Sequence, residues 1–263
     1  MMKLSSPGRF SLLLIFLLVW GVRPAITQST IPSGFGPGER LLYDVDWGFI
    51  NAGETELSIL DTVRVDSNLC YHLLSRTTSN AFVTALFRVN DRVESMMDVE
   101  GHFSRGFEKH LREGEYREDR WFRIDQEAGL VFQLDTTAAT KYAADTLEVE
   151  FGVQDVLSAL QYVRLQDLSP GDEIRVMTVD NLKPYELVVK IHRRQRVKVP
   201  AGRFDCLVVE PLLKSTGLFK SQGKLTIWLT DDERRLPVLM KSKILIGSVS
   251  ARLVEYTPGI PLE

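Results

Sequence analysis

Apolar and polar residues alternate with a period of two along most of the chain. In Leu41-Leu42-Tyr43-Asp44-Val45-Asp46-Trp47 the odd positions are apolar and would share one face of a β-strand. Similar strands are predicted at 54–65, 69–77, 87–99, 121–124, 130–134, 173–179, 185–191, 204–213, 225–229, 238–245 and 248–256. Gly, Asn or Asp stands in most of the gaps, where tight turns need them. One segment departs from this period. Between Asp155 and Leu165, the residues Val156, Leu157, Leu160 and Val163 fall on one helical face behind Asp155, a candidate N-cap, and Ser169-Pro170-Gly171 follows soon after. Asn80 to Leu86 is a candidate second, shorter helix. The pattern predicts a mainly β protein, an antiparallel, strongly curved sheet or barrel-like sandwich.

The two halves of the chain echo each other. Pro37-Gly38-Glu39 recurs as Pro170-Gly171-Asp172, Cys70 as Cys206, Thr84-Ala85-Leu86-Phe87 as Thr216-Gly217-Leu218-Phe219, and Asp98 as Asp231, with offsets of 133, 136, 132 and 133. A period this long is not that of a solenoid. It fits two similar β units, about 37–150 and 170–256, joined by the one helix within a single all-β domain over 28–263. Cys70 and Cys206 each sit in an apolar run. They read either as two buried free thiols or, in an oxidising compartment, as one disulfide closing a 136-residue loop near a pseudo-twofold axis.

The start of the chain breaks the β pattern in a different way. Lys3 and Arg9 precede an apolar run from Phe10 to Trp20, and the chain turns polar by Thr27, Gln28 and Ser29. That is the layout of a secretory signal peptide, residues 1–27, whose apolar run is shorter than the roughly 20 residues of a comfortable membrane span. No Cys lies near the junction, so no lipid attachment is expected there, and the processed protein is expected in the periplasm or outside the cell. Loss of Lys3, Arg9 and Arg23 would leave 29 basic against 35 acidic side chains. The whole chain has 263 residues, a formal charge of −3 and 44% apolar residues, which is ordinary globular usage. With no basic excess to displace counterions, a nucleic-acid partner is not expected.

Three segments resemble a known family. Pro37-Gly-Glu-Arg-Leu-Leu-Tyr-Asp-Val-Asp-Trp47 is followed by Ala52-Gly53. Val199-Pro-Ala-Gly-Arg-Phe-Asp-Cys206 comes next, then Gly223-Lys-Leu-Thr-Ile-Trp-Leu-Thr-Asp-Asp-Glu-Arg-Arg-Leu-Pro-Val238. Together they are similar to the bacterial envelope family known as domain of unknown function 3108. The likeness runs from about Pro37 to Tyr256 and is most specific in the Trp-x-x-Asp-Asp-x-x-x-x-Pro stretch. It implies a signal-bearing, mostly β protein of Gram-negative-type bacteria and transfers no catalytic residue.

Candidate chemistry is sparse. His72, His102, His110 and His192 form no metal-ligand spacing, so no metal or cofactor is expected. Asp231-Asp232-Glu233 could offer oxygens to calcium or simply make a polar hairpin turn. Ser221-Gln-Gly-Lys224 and Lys214-Ser-Thr-Gly217 match elements of penicillin-recognising acyl enzymes, but that chemistry needs the serine at the start of a helix, whereas Gly223 opens a strand and the two motifs lie too close together. Glu113, Glu115, Glu118 and Asp119, interleaved with Arg112, Arg117 and Arg120, read as a solvated salt-bridge ladder. The sharpest signal is basic. Lys190, His192, Arg194, Arg196 and Lys198 alternate, and an unbroken strand would set all five on one face. Such a stripe could hold an anionic headgroup or serve as a charged edge that discourages aggregation.

The expected function is that of an exported, non-enzymatic binding or assembly module for an apolar or lipid-like, anionic ligand, or for an envelope protein partner. The alternatives are an envelope hydrolase using carboxylates such as Asp231 and Asp232, and a scaffold that binds only protein. Intact-mass measurement of the exported product should show the loss of about the first 27 residues. A full-length, membrane-retained product would contradict the leader.

Overall fold

The computed structural model describes residues 34–135, 142–214, 224–243 and 247–262. The expected leader, the Thr216–Phe219 copy, Ser221 and most of the Lys214–Gly217 motif lie outside the described residues. The described residues form fourteen strands and two helices. The first unit holds β1 (Arg40–Trp47), β2 (Ile50–Val65), β3 (Asn68–Ser79), α1 (Ala81–Thr84), β4 (Asn90–Asp98), β5 (Ser104–Glu113), β6 (Tyr116–Asp125), β7 (Leu130–Asp135) and β8 (Tyr142–Glu148). After α2 (Val156–Arg164), the second unit holds β9 (Glu173–Asp180), β10 (Lys183–Val199), β11 (Gly202–Lys214), β12 (Leu225–Thr230), β13 (Pro237–Lys243) and β14 (Ser248–Thr257).

All fourteen strands belong to one antiparallel sheet, in the order β8-β7-β6-β5-β4-β3-β2-β1-β14-β13-β12-β11-β10-β9. Each unit is a meander, and the two meanders join where β1 pairs with β14. The expected mainly β fold of two similar units is therefore present. β8 and β9 are consecutive in the chain yet form opposite edges of the sheet, which strand pairing does not close.

The approach to α2 spans those edges. Gln154 N–H donates to Met177 C=O (2.8 Å) and Val179 N–H to Gln154 C=O (2.8 Å) on β9. On the other side, Gln126 Nε2 donates to the carbonyls of Ser104 (2.6 Å) and Val153 (3.0 Å). Phe107, Phe122, Ile124 and Val131 from β5–β7 pack with Val153 and Val179 in one buried cluster. Lys109 Nζ on β5 reaches Asp180 Oδ1 and Asn181 Oδ1 at the end of β9, both at 3.0 Å. Apolar packing and a few polar links thus do the work of a missing ladder.

Asp155 is the N-cap of α2, as the sequence predicts. Its carboxylate accepts from Leu157 N–H (2.8 Å) and Ser158 N–H (3.0 Å), while Ser158 Oγ accepts from Asp155 N–H (2.9 Å). The orientation of the helix is not the one its amphipathic pattern suggests. Its buried residues are Ser158, Ala159, Gln161, Val163 and Arg164, so much of the polar side faces the protein. Arg164 makes a two-point pair with Glu39 at 2.6 and 2.9 Å, and both side chains are fully buried. The same guanidinium donates to Gln161 Oε1 (2.7 Å) and to Arg234 C=O, and lies over the Phe35 ring at 5.0 Å.

The repeat is visible in backbone detail. Gly38 N–H donates to Ile59 C=O (2.7 Å) and Ile59 N–H returns to Glu39 C=O (2.9 Å); Gly171, Ile191 and Asp172 make the same pair at 2.8 and 3.0 Å. Gly38 and Gly171 both hold positive φ, +85° and +101°, which glycine adopts without strain. Both units also break register just after that turn, between Ile59 and Thr62 in β2 and between Ile191 and Arg193 in β10.

Two expectations need correction. Cys70 and Cys206 are free, buried thiols on β3 and β11, with five strands between them, so the bridge is not formed. The repeat places them at equivalent positions rather than opposite one another; each thiol bonds the carbonyl two residues back, Asn68 and Phe204, at 3.7 Å. Burial pushes Cys70 up to about 11 and Cys206 up to about 12, which keeps both as thiols. The pattern also misses β5, because its buried positions include Ser104, Arg105, Gly106 and Lys109 rather than an apolar row.

Glu39→Gln leaves a buried guanidinium without its carboxylate, and urea unfolding should show a loss of about 3–5 kcal/mol. Replacing both partners with Glu39→Leu and Arg164→Met should cost less than Glu39→Gln alone.

Candidate functional site

The helix turns its less buried side, with Val156, Leu157 and Leu160, toward a cavity of about 790 Å³. Leu57 of β2, Val93 of β4 and Phe107 of β5 line it from the first unit. Leu187 and Val189 of β10, Leu212 of β11, Leu225 and Ile227 of β12 and Met240 of β13 line it from the second. The volume falls within the roughly 300–1,000 Å³ of sites for small molecules, and the walls are mostly apolar. Val156 keeps 54% of its surface exposed, a large fraction for an apolar residue on a helix inside a curved sheet. The arrangement is that of a receptacle for something apolar.

Polar groups stand at two places on the wall. Lys109 and Asp180 form one pair, with Glu118 a further 3.6 Å from the ammonium, and Tyr185 lines the same cavity with its hydroxyl pushed up by burial. Glu210 and Lys224 form the other at 2.9 Å. Strands β11 and β12 pair only from Cys206 to Val209, so beyond Val209 they part and this ion pair stands in the opening. His192 Nε2 lies 2.5 Å from Glu210 Oε2. Burial alone would raise the Glu210 carboxyl, but hydrogen bonds from Lys224 and His192 outweigh it and hold it below the usual range. Glu210 and Lys224 also line a smaller pocket of about 270 Å³, together with His192, Arg193, Thr226 and Trp228. The two hollows share that ion pair as part of their walls.

The basic stripe is divided by the fold. In the β10–β11 ladder Lys190 faces Glu210, Ile191 faces Val209, Arg193 faces Val208 and Arg194 faces Leu207. His192 is the extra residue of a bulge, so Lys190 shares one side with Glu210, and Arg194, Arg196 and Lys198 share the other with Leu207, Asp205 and Arg203. Acidic partners already engage four of the five: Lys190 with Glu173 (3.1 Å), His192 with Glu210, Arg194 with Asp231 (2.6 Å) and Arg196 with Asp205 (2.7 Å). Only His192 of the five lines either pocket.

The candidate carboxylates do not converge on a cleft. Asp231 pairs with Arg194 and Arg235 (3.3 Å). Burial works against the Asp232 charge, but the Thr230 hydroxyl and the Arg234 guanidinium, both at 2.6 Å, prevail and hold it low. Of the remaining histidines, His72 pairs with Glu94 (2.6 Å) and His110 with Asp119 (2.8 Å), while burial lowers His102. Among the described residues no group of three or more His, Cys, Asp or Glu side chains could hold a metal ion.

Sequence reasoning missed Lys109, Tyr185 and Glu210, and singled out Lys224 only within the Ser221–Lys224 motif. The signal for Glu210 was a lone acid between Val209 and Pro211 in an apolar run. Lys109 was hidden in a charged stretch, where its neighbours mask it.

A sequence family described as "Protein of unknown function (DUF3108)" matches residues 42–254. No curated protein matches the chain. Among solved structures, a β-barrel-like protein of domain of unknown function DUF1849 from Brucella abortus is similar with a TM-score of 0.59 at 11% identity. The match covers 86% of this chain and 99% of that one. A Bacteroides fragilis protein with a YmcC-like fold matches with a TM-score of 0.40 at 11% identity. A protein described as a lipoprotein from Parabacteroides distasonis matches with a TM-score of 0.38 at 10% identity. Each of these two again covers 86% of this chain and 99% of that one.

Leu160 and Val163 share the cavity face of α2 but differ in burial, Leu160 being half-buried and Val163 buried in a packed cluster. Leu160→Asp points a carboxylate into the hollow and should cost at most about 1 kcal/mol in urea unfolding, whereas Val163→Asp, placed in a packed cluster, should cost about 3 kcal/mol or more. Equal losses would mean that the cavity is not open beside Leu160.

Proposed function

The chain belongs to the family described as protein of unknown function DUF3108, and from that premise we propose that it is a non-enzymatic binding module for an amphiphile in the bacterial envelope. The observation that carries this reading is the cavity of about 790 Å³ with apolar side chains of α2 turned into it. A helix that only completed a core would bury its leucines; this one buries Ser158, Gln161 and Arg164 and turns Leu160 to the hollow. An apolar tail in that space would remove from water the side chains of both β units, at about 25 cal/mol per Å² of apolar surface covered.

The smaller pocket suits an anionic headgroup. His192, Arg193 and Lys224 surround it, and Glu210 is their counter-charge. A bound phosphate or carboxylate would exchange places with Glu210 beside Lys224, so tail and head would lie on either side of that ion pair. Arg194, Arg196 and Lys198 belong to another part of β10 and are not assigned to the ligand. The hydrolase alternative draws no support from the cavity, because Asp231 and Asp232 lie in the β12–β13 turn within their own ion pairs. Export to the periplasm rests on the leader-like start of the sequence. Among the described residues no helix is long and apolar enough to cross a membrane.

Native mass spectrometry with lipid extraction, on protein recovered from the envelope of its own cells, should find a co-purifying lipid-like mass. After delipidation the protein should bind a fluorescent fatty acid. Leu160→Trp should weaken that binding about tenfold by filling the cavity, and Lys224→Gln should cost roughly 1.5–3 kcal/mol if the charged contact forms. A protein that carries no lipid and binds no fatty acid would leave the protein-binding scaffold as the better reading.

A further inference from the structure

Exposed apolar side chains are not scattered evenly over the protein. Trp47, Phe49 and Ile50 occupy the tip of the β1–β2 hairpin, and Phe82, Leu86 and Phe87 occupy α1 and the loop after it; all six are exposed. Phe49 is fully exposed, Leu86 is 81% exposed and Phe82 is 65% exposed. The two segments are neighbours. Asn80 Nδ2 donates to Asn51 C=O (2.7 Å), and Asn80 N–H donates to Ala52 C=O (2.9 Å). Burying these rings within the protein would have been cheap for the chain, since each segment is free of charge: Trp47-Gly-Phe-Ile-Asn51 and Ala81-Phe-Val-Thr-Ala-Leu-Phe87 hold no Asp, Glu, Lys or Arg. Phe49, Phe82 and Leu86 stay mostly in water instead, which marks an interaction surface.

Their position says what covers them. Glu39 and Arg164 lie at the start of β1 and the end of α2, whereas Trp47 and Phe49 lie at the far end of β1, beyond the cavity-lining Thr55 and Leu57 of β2. The apolar tip is therefore at the end of the sheet where the cavity lies, not the end closed by the helix pair. Cations frame it. Exposed Arg88 directly follows Phe87, and exposed Lys243 sits opposite Ser248, whose carbonyl accepts from Gly48 N–H (2.9 Å). Uncharged aromatic tips between cations match the interface of an anionic bilayer, where rings settle at headgroup level and Lys or Arg meet phosphate.

We propose that this end of the protein docks on an anionic phospholipid bilayer through Trp47, Phe49, Phe82 and Leu86, with Arg88 and Lys243 on the headgroups. The inference extends the amphiphile reading, because docking there sets the cavity end of the sheet against the membrane, but it rests on different residues.

The test is flotation of the protein, expressed from the full-length chain and purified after export, with vesicles of phosphatidylglycerol and phosphatidylethanolamine. The triple variant Phe49→Ser, Phe82→Ser, Leu86→Ser should bind at least about tenfold more weakly. Because the three side chains are exposed, its urea midpoint should be unchanged; Phe49→Ser alone should give a smaller loss in the same direction. Arg88→Gln with Lys243→Gln should weaken binding at low salt and leave phosphatidylcholine vesicles unaffected. Leu160→Trp should float as the parent does while losing fatty acid, which separates the membrane surface from the cavity. Equal flotation of parent and triple variant would overturn the proposal. So would a parent that fails to float yet forms a concentration-dependent dimer that the triple variant loses, which would assign the patch to a second copy of the chain.

Discussion

The Arg164–Glu39 pair fixes where everything else can go. Taking a guanidinium and a carboxylate fully out of water is costly, and it is tolerable only when every donor and acceptor is met. Here Glu39 supplies both oxygens, Gln161 and the Arg234 carbonyl accept further N–H groups, and Phe35 lies against the guanidinium face. That set draws on the start of β1, the last turn of α2 and the β12–β13 turn, three segments far apart in the chain. Once it forms, the C-terminal end of α2 is held inside the sheet at one end of β1. Asp155 then ties the other end to Ser95 of β4, with Oδ2 accepting from the serine hydroxyl at 2.6 Å. Burial raises the Asp155 carboxyl, so the cap has an electrostatic cost of its own that its hydrogen bonds must offset.

A cavity follows from these anchors and from simple lengths. Nine residues of helix extend about 13.5 Å. Strands of 16 and 17 residues, such as β2 and β10, run to about 55 Å. A short helix pinned near one end cannot fill the space that long, curved strands enclose. The polar side of α2 is committed to its anchors, so its leucines are left to line what remains. The site is a consequence of closing the sheet with a helix rather than with a fifteenth strand.

Much of the fold was legible because half-buried strands write their burial directly into a period of two, as in Leu41 and Tyr43. The same rule explains the failures. β5 disappears from the pattern because Arg105 and Lys109 are buried there and paired with Asp98 and Asp180. The helix was visible from its spacing and its Asp155 cap, but not its orientation, since amphipathicity says which side is apolar and not whether that side meets a core or a hollow. The basic stripe is not one-sided, for a local reason. One bulged residue, His192, shifts the parity of β10, and no alternation argument can see a bulge unless its counterpart in the first unit is recognised.

Duplication supplies the frame, and departures from it supply the site. Glu39 and Asp172 occupy equivalent turns, yet Glu39 is spent on Arg164, while the Asp172 carboxylate accepts from the nearby Ser169 N–H at 2.8 Å. One helix cannot serve both units, so the pseudo-symmetry is broken as soon as it enters the sheet. The polar end of the cavity shows the same asymmetry. By the spacing that relates Cys70 to Cys206, the counterpart of Glu210 is Leu74, a residue with no charge to offer Lys224 or His192. The first unit contributes Leu57, Val93 and Phe107 together with Lys109, and the second adds a charged opening where β11 and β12 part. Mostly apolar walls, with a charged pair at the opening that lacks a counterpart in the first unit, give the cavity a direction, and a directional site is what distinguishes an amphiphile from a plain hydrocarbon.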